Sequence, residues 1–122
     1  MRDLFETEHE DFRRSVRTFM EKEVLPNSEK WDADGIVPRE LWLKAGEAGL
    51  LCFDVPEAYG GPGIDDFRFN VILTEEQSRI GASGPGFSVH TDIIVPYITK
   101  LGTEEQKQRW LPGCVSGETI TA

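Results

Sequence analysis

The sequence runs to 122 residues, 39% hydrophobic and 29% charged, which fits one soluble globular core and excludes a disordered or membrane-embedded chain. Thirteen Lys and Arg against 22 Asp and Glu give a net charge of −9, spread along the chain, so no basic cluster exists to displace counterions from nucleic-acid phosphates. Cys52 and Cys114 lie far apart with no second Cys or His at ligand spacing, which excludes a zinc ribbon and a disulfide framework and leaves two reduced thiols.

The opening residues 1–6 lack an apolar signal core and are acidic, so no secretory or transit peptide is expected and the protein is expected in the cytoplasm. Thr7 and Glu10 have the T-x-x-E spacing of a capping box. Phe12, Val16, Phe19, Met20 and Val24 then recur on one helical face, with Arg13, Arg14, Arg17 and Lys22 on the other. Pro26 is expected to end this helix by pushing residue 25 out of the α region. Residues 27–37 read as a polar loop with Asp34-Gly35 as its turn. Pro38 suits the first position of a second helix, with Leu41, Trp42, Ala45 and Ala48 inward and Gly49 as terminator.

Leu50-Leu51-Cys52-Phe53 is a short buried segment, and the glycines and proline of residues 57–63 make a loop. Asp65 or Asp66 can cap a third helix to about Ile80, carrying Phe69, Ile72, Leu73 and Glu76, and residues 81–86 break it. A fourth helix from Phe87 to Leu101 is apolar nearly all round and is too short to span a bilayer. Pro96 should kink it or change its winding. Gly102 is expected at the C′ position, and Thr103 with Gln106 makes a second capping box for a short helix ending near Pro112. The expected class is all-α, an up-and-down bundle of about four main helices plus short ones.

No segment carries a self-sufficient active site. Tyr59-Gly60-Gly61-Pro62-Gly63 lacks the Lys-Ser/Thr of a P-loop and the spacing of a dinucleotide fold, and reads as a tight turn. Glu75 and Glu76 point about 100° apart on a helix, so one is expected to face solvent or an arginine such as Arg79. His90 lies in an apolar context with no nucleophile near it, and His9, in the first turn, is expected in solvent. Catalytic residues and metal ligands are therefore not assigned within this chain.

Several runs, in order, resemble the N-terminal helical domain of the acyl-CoA dehydrogenase family. They are Val55-Pro56-Glu57-Ala58-Tyr59-Gly60-Gly61-Pro62-Gly63, then Glu75-Glu76, then Leu101-Gly102-Thr103-Glu104-Glu105-Gln106-Lys107-Gln108-Arg109-Trp110-Leu111-Pro112. Ser83-Gly84-Pro85-Gly86-Phe87-Ser88-Val89-His90 and the opening Glu8-His9-Glu10-Asp11-Phe12-Arg13 are similar to the long-chain branch. The likeness covers the whole chain but about the first third of a family member. The sequence stops just before the family's flavin-contacting T-E-P-G-A-G-S-D segment, as though cut ahead of the middle β-domain.

The resemblance implies FAD-dependent α,β-dehydrogenation of a medium-to-long-chain acyl-CoA. A glutamate takes the α-proton and flavin N5 receives the β-hydride, giving the trans-2-enoyl-CoA. That glutamate lies outside these residues, and Glu75 and Glu76 do not correspond to it, so the segment alone is expected to be inactive. The family's fourth helix forms one wall of the acyl pocket, which points to Pro85, Gly86, Phe87, Thr91 and Ile94 as lining residues. An electron-transfer flavoprotein as acceptor, a homotetramer and a bacterial cytoplasmic setting follow from the same resemblance. The alternatives are a non-enzymatic helical interaction module, and an acyl-CoA oxidase or flavin monooxygenase on the same scaffold.

Overall fold

The computed structural model describes residues 4–82 and 84–121. The readings that touch residues 1–3, Ser83 and Ala122 therefore lie outside the described residues. The α-helices are α1 (Thr7–Phe19), α2 (Ser28–Asp34), α3 (Arg39–Glu47), α4 (Arg68–Arg79), α5 (Val95–Leu101) and α6 (Glu104–Ser116). Stretches of π and 3-10 winding accompany them, and the described residues contain no strand, so the chain is all-α. It forms two compact units, one built from the residues up to Val37 with Phe67–Pro85, the other from Pro38–Asp66 with the residues from Gly86 onward.

In the first unit α1 packs on α4. Val16, Met20 and Val24 are fully buried, and each such side chain contributes about 1.5–3 kcal/mol on leaving water. The helix begins one residue earlier than the Thr7 box predicts: Glu6 is the N-cap, and its N–H donates to His9 Nδ1 at 2.9 Å. His9 is not solvated. It is fully buried, 4.8 Å from the Phe69 ring and 6.1 Å from Phe5, and this packing puts its ring where the Glu6 N–H can reach it.

Pro26 does not push Leu25 out of the α region, where Leu25 sits at φ −56°, ψ −45°. Instead the helix widens to π winding over Met20–Val24, so that the Leu25 N–H reaches back five residues to the Met20 carbonyl. A 3-10 turn, Leu25–Asn27, then leads into α2. Residues 28–34, expected as loop, are therefore helical; Trp31 anchors them in the core, and Gly35 at φ 74° terminates them. The third predicted helix is α4, but Phe67 rather than Asp65 or Asp66 holds its N-cap position.

In the second unit α6 packs against α3, α5 and the 3-10 turn Glu57–Tyr59. Two glycines set the approach of α3 to the end of α6. A Cβ on Gly46 would lie 2.1 Å from the Ser116 carbonyl oxygen, and one on Gly117, at φ +86°, would lie 2.1 Å from that of Trp42. Leu41, Trp42 and Ala45 face inward as expected, whereas Ala48 is exposed because α3 ends at Glu47.

The fourth predicted helix begins at residue 87, runs as π winding over Val89–Ile94 and continues as α5. Pro96 does change the winding: the Val95 N–H bonds the His90 carbonyl, five residues back, ahead of the proline that lacks a donor. Gly102 is extended, not left-handed, and is small because a Cβ there would meet the Ile98 carbonyl at 2.5 Å. The Thr103–Gln106 box forms as predicted, at 2.9 and 3.2 Å. The helix it opens does not stop at Pro112 but carries that residue inside and ends at Ser116.

Candidate functional site

The segment from Gly86 to Leu101 is apolar on opposite faces, and this makes it the candidate site. One face is core. Phe87 is fully buried, edge-on to Trp42 with ring centroids 4.9 Å apart, and Val95 is fully buried too. Thr91 is buried, and its Oγ accepts the Cys52 N–H at 3.3 Å. That bond serves a strained residue, since Cys52 holds φ 56° without being glycine.

The other face is open. Val89, Ile93, Tyr97 and Leu101, four residues apart, are 42%, 52%, 63% and 77% exposed. Ile93, Pro96, Tyr97 and Leu101, with Asp92 and Lys100 at the rim, line a groove of about 370 Å³. Of the sequence-predicted pocket residues, Gly86 faces free space, with nothing within 4 Å of an added Cβ, and Ile94 is half-buried. Phe87 and Thr91 hold the segment from behind, and Pro85 is buried with its carbonyl accepting from Gln77 Nε2. The four-residue apolar spacing along the outer face was the signal for the groove, and it reads as core until the structure shows it uncovered.

His90 is fully buried beside these residues, 5.2 Å from the Trp42 ring. Burial holds its pKa below the usual histidine value, so the ring is neutral at pH 7. Burial likewise pushes the Cys52 and Cys114 thiols up, which makes both poor nucleophiles. The Cys52 S–H donates to the Cys114 carbonyl at 3.5 Å, and both thiols are free.

Glu76 sits in a cluster of ion pairs. It is 2% exposed, and it receives Arg17 at 2.7 and 3.0 Å, Arg13 at 2.9 Å and Arg79 at 3.2 Å. The hydrogen bonds from Arg17, then Arg13 and Arg79, outweigh desolvation and hold its pKa at about 2. Glu75 accepts the other Arg13 nitrogen at 2.8 Å. A permanent carboxylate matched by guanidinium groups is an ion lock.

The loop after Pro56 is a tight turn, with Gly60 at φ 86° and the Tyr59 hydroxyl donating to Glu104 at 2.6 Å. Glu6, Glu8 and His9 bring ligand atoms within 4.8 Å of one another, a grouping the sequence reading missed. His9 Nδ1 there already accepts the Glu6 N–H of the helix cap. Among the described residues no buried side-chain nitrogen or oxygen lacks a hydrogen-bond partner. What the segment from Gly86 to Leu101 presents to a ligand is apolar surface. No helix among them is long and apolar enough to cross a membrane.

The profile of the acyl-CoA dehydrogenase N-terminal domain matches residues 6–118. The chain is 44% identical over 122 residues to the mitochondrial long-chain specific acyl-CoA dehydrogenase of Rattus norvegicus, covering 100% of this chain and 28% of that protein. An acyl-CoA dehydrogenase from Geobacillus kaustophilus matches at 47% identity and a TM-score of 0.93, over 98% of this chain and 31% of that one. An acyl-CoA dehydrogenase of Bacillus anthracis, complexed with FAD, matches at 34% identity and a TM-score of 0.83, over 98% of this chain and 20% of that one. The chain thus spans less than a third of the length of each.

Proposed function

The chain belongs to the acyl-CoA dehydrogenase family, and from that premise we propose that it is the N-terminal domain of an FAD-dependent enzyme that dehydrogenates medium-to-long-chain acyl-CoA. One observation carries the reading: a helix whose inner face is packed core, while Ile93, Tyr97 and Leu101 leave its outer face apolar and uncovered. A soluble domain rarely leaves such a stripe without a use. Here the use is one wall of the acyl pocket. Ile93, Tyr97 and Leu101 give that wall its apolar face, Gly86 and Ile94 border the acyl chain beside it, and Phe87 and Thr91 hold it from behind, with Pro85 preceding it in the chain. Apolar walls orient an alkyl chain and exclude water, and the redox chemistry belongs to the cofactor.

In this reading the flavin segment and the glutamate base belong to the parts of the enzyme that follow these residues. The likeness to an FAD-complexed structure supports the cofactor, and the long-chain relative supports the chain length. A homotetramer that passes its electrons to an electron-transfer flavoprotein in a bacterial cytoplasm completes the proposal. The test is to express the intact protein, record flavin absorbance, and follow its bleaching by acyl-CoAs of graded length. Absence of flavin, or no bleaching by any acyl-CoA, overturns it.

A further inference from the structure

His90 sits at a junction that the acyl-pocket reading does not use. Its Nδ1 receives the backbone N–H of Thr121 at 3.1 Å and lies 2.8 Å from the Thr121 hydroxyl. Its Nε2 lies 2.9 Å from the Cys114 carbonyl in α6. A backbone N–H only donates and a carbonyl only accepts. Nδ1 must therefore be the bare nitrogen, and the proton must be on Nε2. Trp42 closes the ring from the side, edge to face at 77°. The imidazole is held on three sides in one tautomer.

The segment it grips is otherwise held by backbone contacts. Gly117 turns against Trp42, the Thr119 N–H bonds the Gly113 carbonyl at 3.0 Å, and Arg39 donates to the Glu118 carbonyl at 2.5 Å. Thr121 is the last described residue of that run, and His90 supplies the bond to its N–H. His90 also lies within the π turn Val89–Ile94. One side chain thus ties the π turn to α6 and to the run that follows α6.

We propose that His90 is a positioning residue: as the neutral Nε2–H imidazole it fixes the π turn against α6 and holds the backbone at Thr121. Its value for an acyl wall rests on the proposed function, but the contacts themselves do not. Two variants separate its two nitrogens. In His90→Asn the amide oxygen is bonded to Cγ as Nδ1 is, so it can accept the Thr121 N–H while the donor to Cys114 is lost. In His90→Gln the longer amide can reach Cys114, and the acceptor for Thr121 is lost. His90→Phe keeps the ring beside Trp42 and loses both.

The readout is hydrogen exchange in the intact protein, followed in the peptide that contains Thr121. Exchange there is expected to speed up roughly fivefold to tenfold in His90→Phe and His90→Gln, the size expected for one net hydrogen bond, and to stay near wild type in His90→Asn. Equal exchange in all three, or His90→Asn as fast as His90→Phe, overturns the proposal. The wild-type protein gives a second check that no folding defect can blur. Nitrogen-15 spectra of labelled histidine should show His90 with a bare Nδ1 and a protonated Nε2 at pH 7. A proton on Nδ1 overturns the assignment. Neither measurement uses flavin or acyl-CoA, so failure of the enzyme reading is recorded separately.

Discussion

Each unit of this chain buries an ionisable side chain at a helix, and the two do so by opposite chemistry. Glu76 in the first unit keeps its charge and is surrounded by Arg17, Arg13 and Arg79. His90 in the second unit gives up its charge and is satisfied by a carbonyl on one side and an N–H on the other. A buried carboxylate is tolerated when cations match it, and a buried imidazole when its neutral tautomer is matched atom for atom. The first arrangement depends on pH and salt. The second depends on geometry and on the ring staying neutral.

The largest effect is expected where geometry is tightest. Gly117→Ala combines a left-handed φ of +86° with a Cβ 2.1 Å from the Trp42 carbonyl. The conformational cost of about 1–2 kcal/mol and the steric cost of about 1–3 kcal/mol act together, so a loss of about 3 kcal/mol or more is expected in urea unfolding. The matched control lies in the other unit. Gly35, at φ +74°, has nothing within 4 Å of an added Cβ, so Gly35→Ala meets only the conformational cost. Equal losses for the two would show that the approach of α3 to the end of α6 is not as close as described.

Glu76→Gln tests the other half of the comparison. The folded carboxyl has a pKa of about 2 against the ordinary glutamate value of 4.5, so folding favours the ionised form. Its contribution is complete above about pH 4.5 and is lost as the pH falls through about 2. Arg17 and Arg79 are 46% and 41% exposed, so solvent screening reduces that contribution, to about 2 kcal/mol. The variant is expected to lose this at pH 7 and to show a flatter decline between pH 4.5 and 2. An unchanged acid profile would mean that Glu76 is not the group that titrates. His90, whose pKa burial lowers, makes stability decline as the pH falls below the usual histidine range, ahead of the window in which Glu76 titrates.

These locks were legible in the sequence to different degrees. The periodicity of Val16, Met20 and Val24 gave the buried stripe of α1 and of the π turn after it, and Thr103 with Gln106 gave the start of α6, because both signals are local. Arg79, three residues on from Glu76, was within reach of a helical wheel, whereas Arg17 and Arg13 lie 59 and 63 residues away and no helical wheel joins them. His9 was placed in solvent because its helix position looks exposed until Phe69 arrives from α4. The π turns were half legible. Pro96 announces the change of winding that it makes, whereas Pro26 announces an end and the chain answers by widening the turn before it. Of the proposed acyl wall, the segment was legible in the sequence, while the division between faces came from which residues other elements cover.

A smaller effect is expected at Thr91, the hydroxyl that serves the strained Cys52. Thr91→Val keeps the shape and removes the acceptor for a buried N–H, which costs about 1–3 kcal/mol. Thr91→Ser restores the oxygen and should recover most of the loss apart from its missing methyl. If Thr91→Val and Thr91→Ser are equally destabilised, packing and not the hydrogen bond holds Cys52 at φ 56°.

Gly86→Phe is expected to affect stability least and selectivity most. Gly46 and Gly117 are small because backbone presses on them, whereas an added Cβ at Gly86 meets nothing within 4 Å, so the missing side chain is not a packing requirement of its own unit. A surface substitution of this kind should leave stability within about 0.5 kcal/mol. If the helix that starts there is the acyl wall, the new ring occupies space that a long chain needs and a short chain does not. In the intact enzyme, kcat/KM should then fall about tenfold for long acyl-CoAs, equivalent to about 1.4 kcal/mol, and hold near wild type for short ones. An equal fall at every chain length, with unfolding unchanged, would place Gly86 away from the acyl chain. A loss of stability would instead mean that something covers Gly86 in the intact protein, and the wall would then consist of the exposed Ile93, Tyr97 and Leu101 face without it.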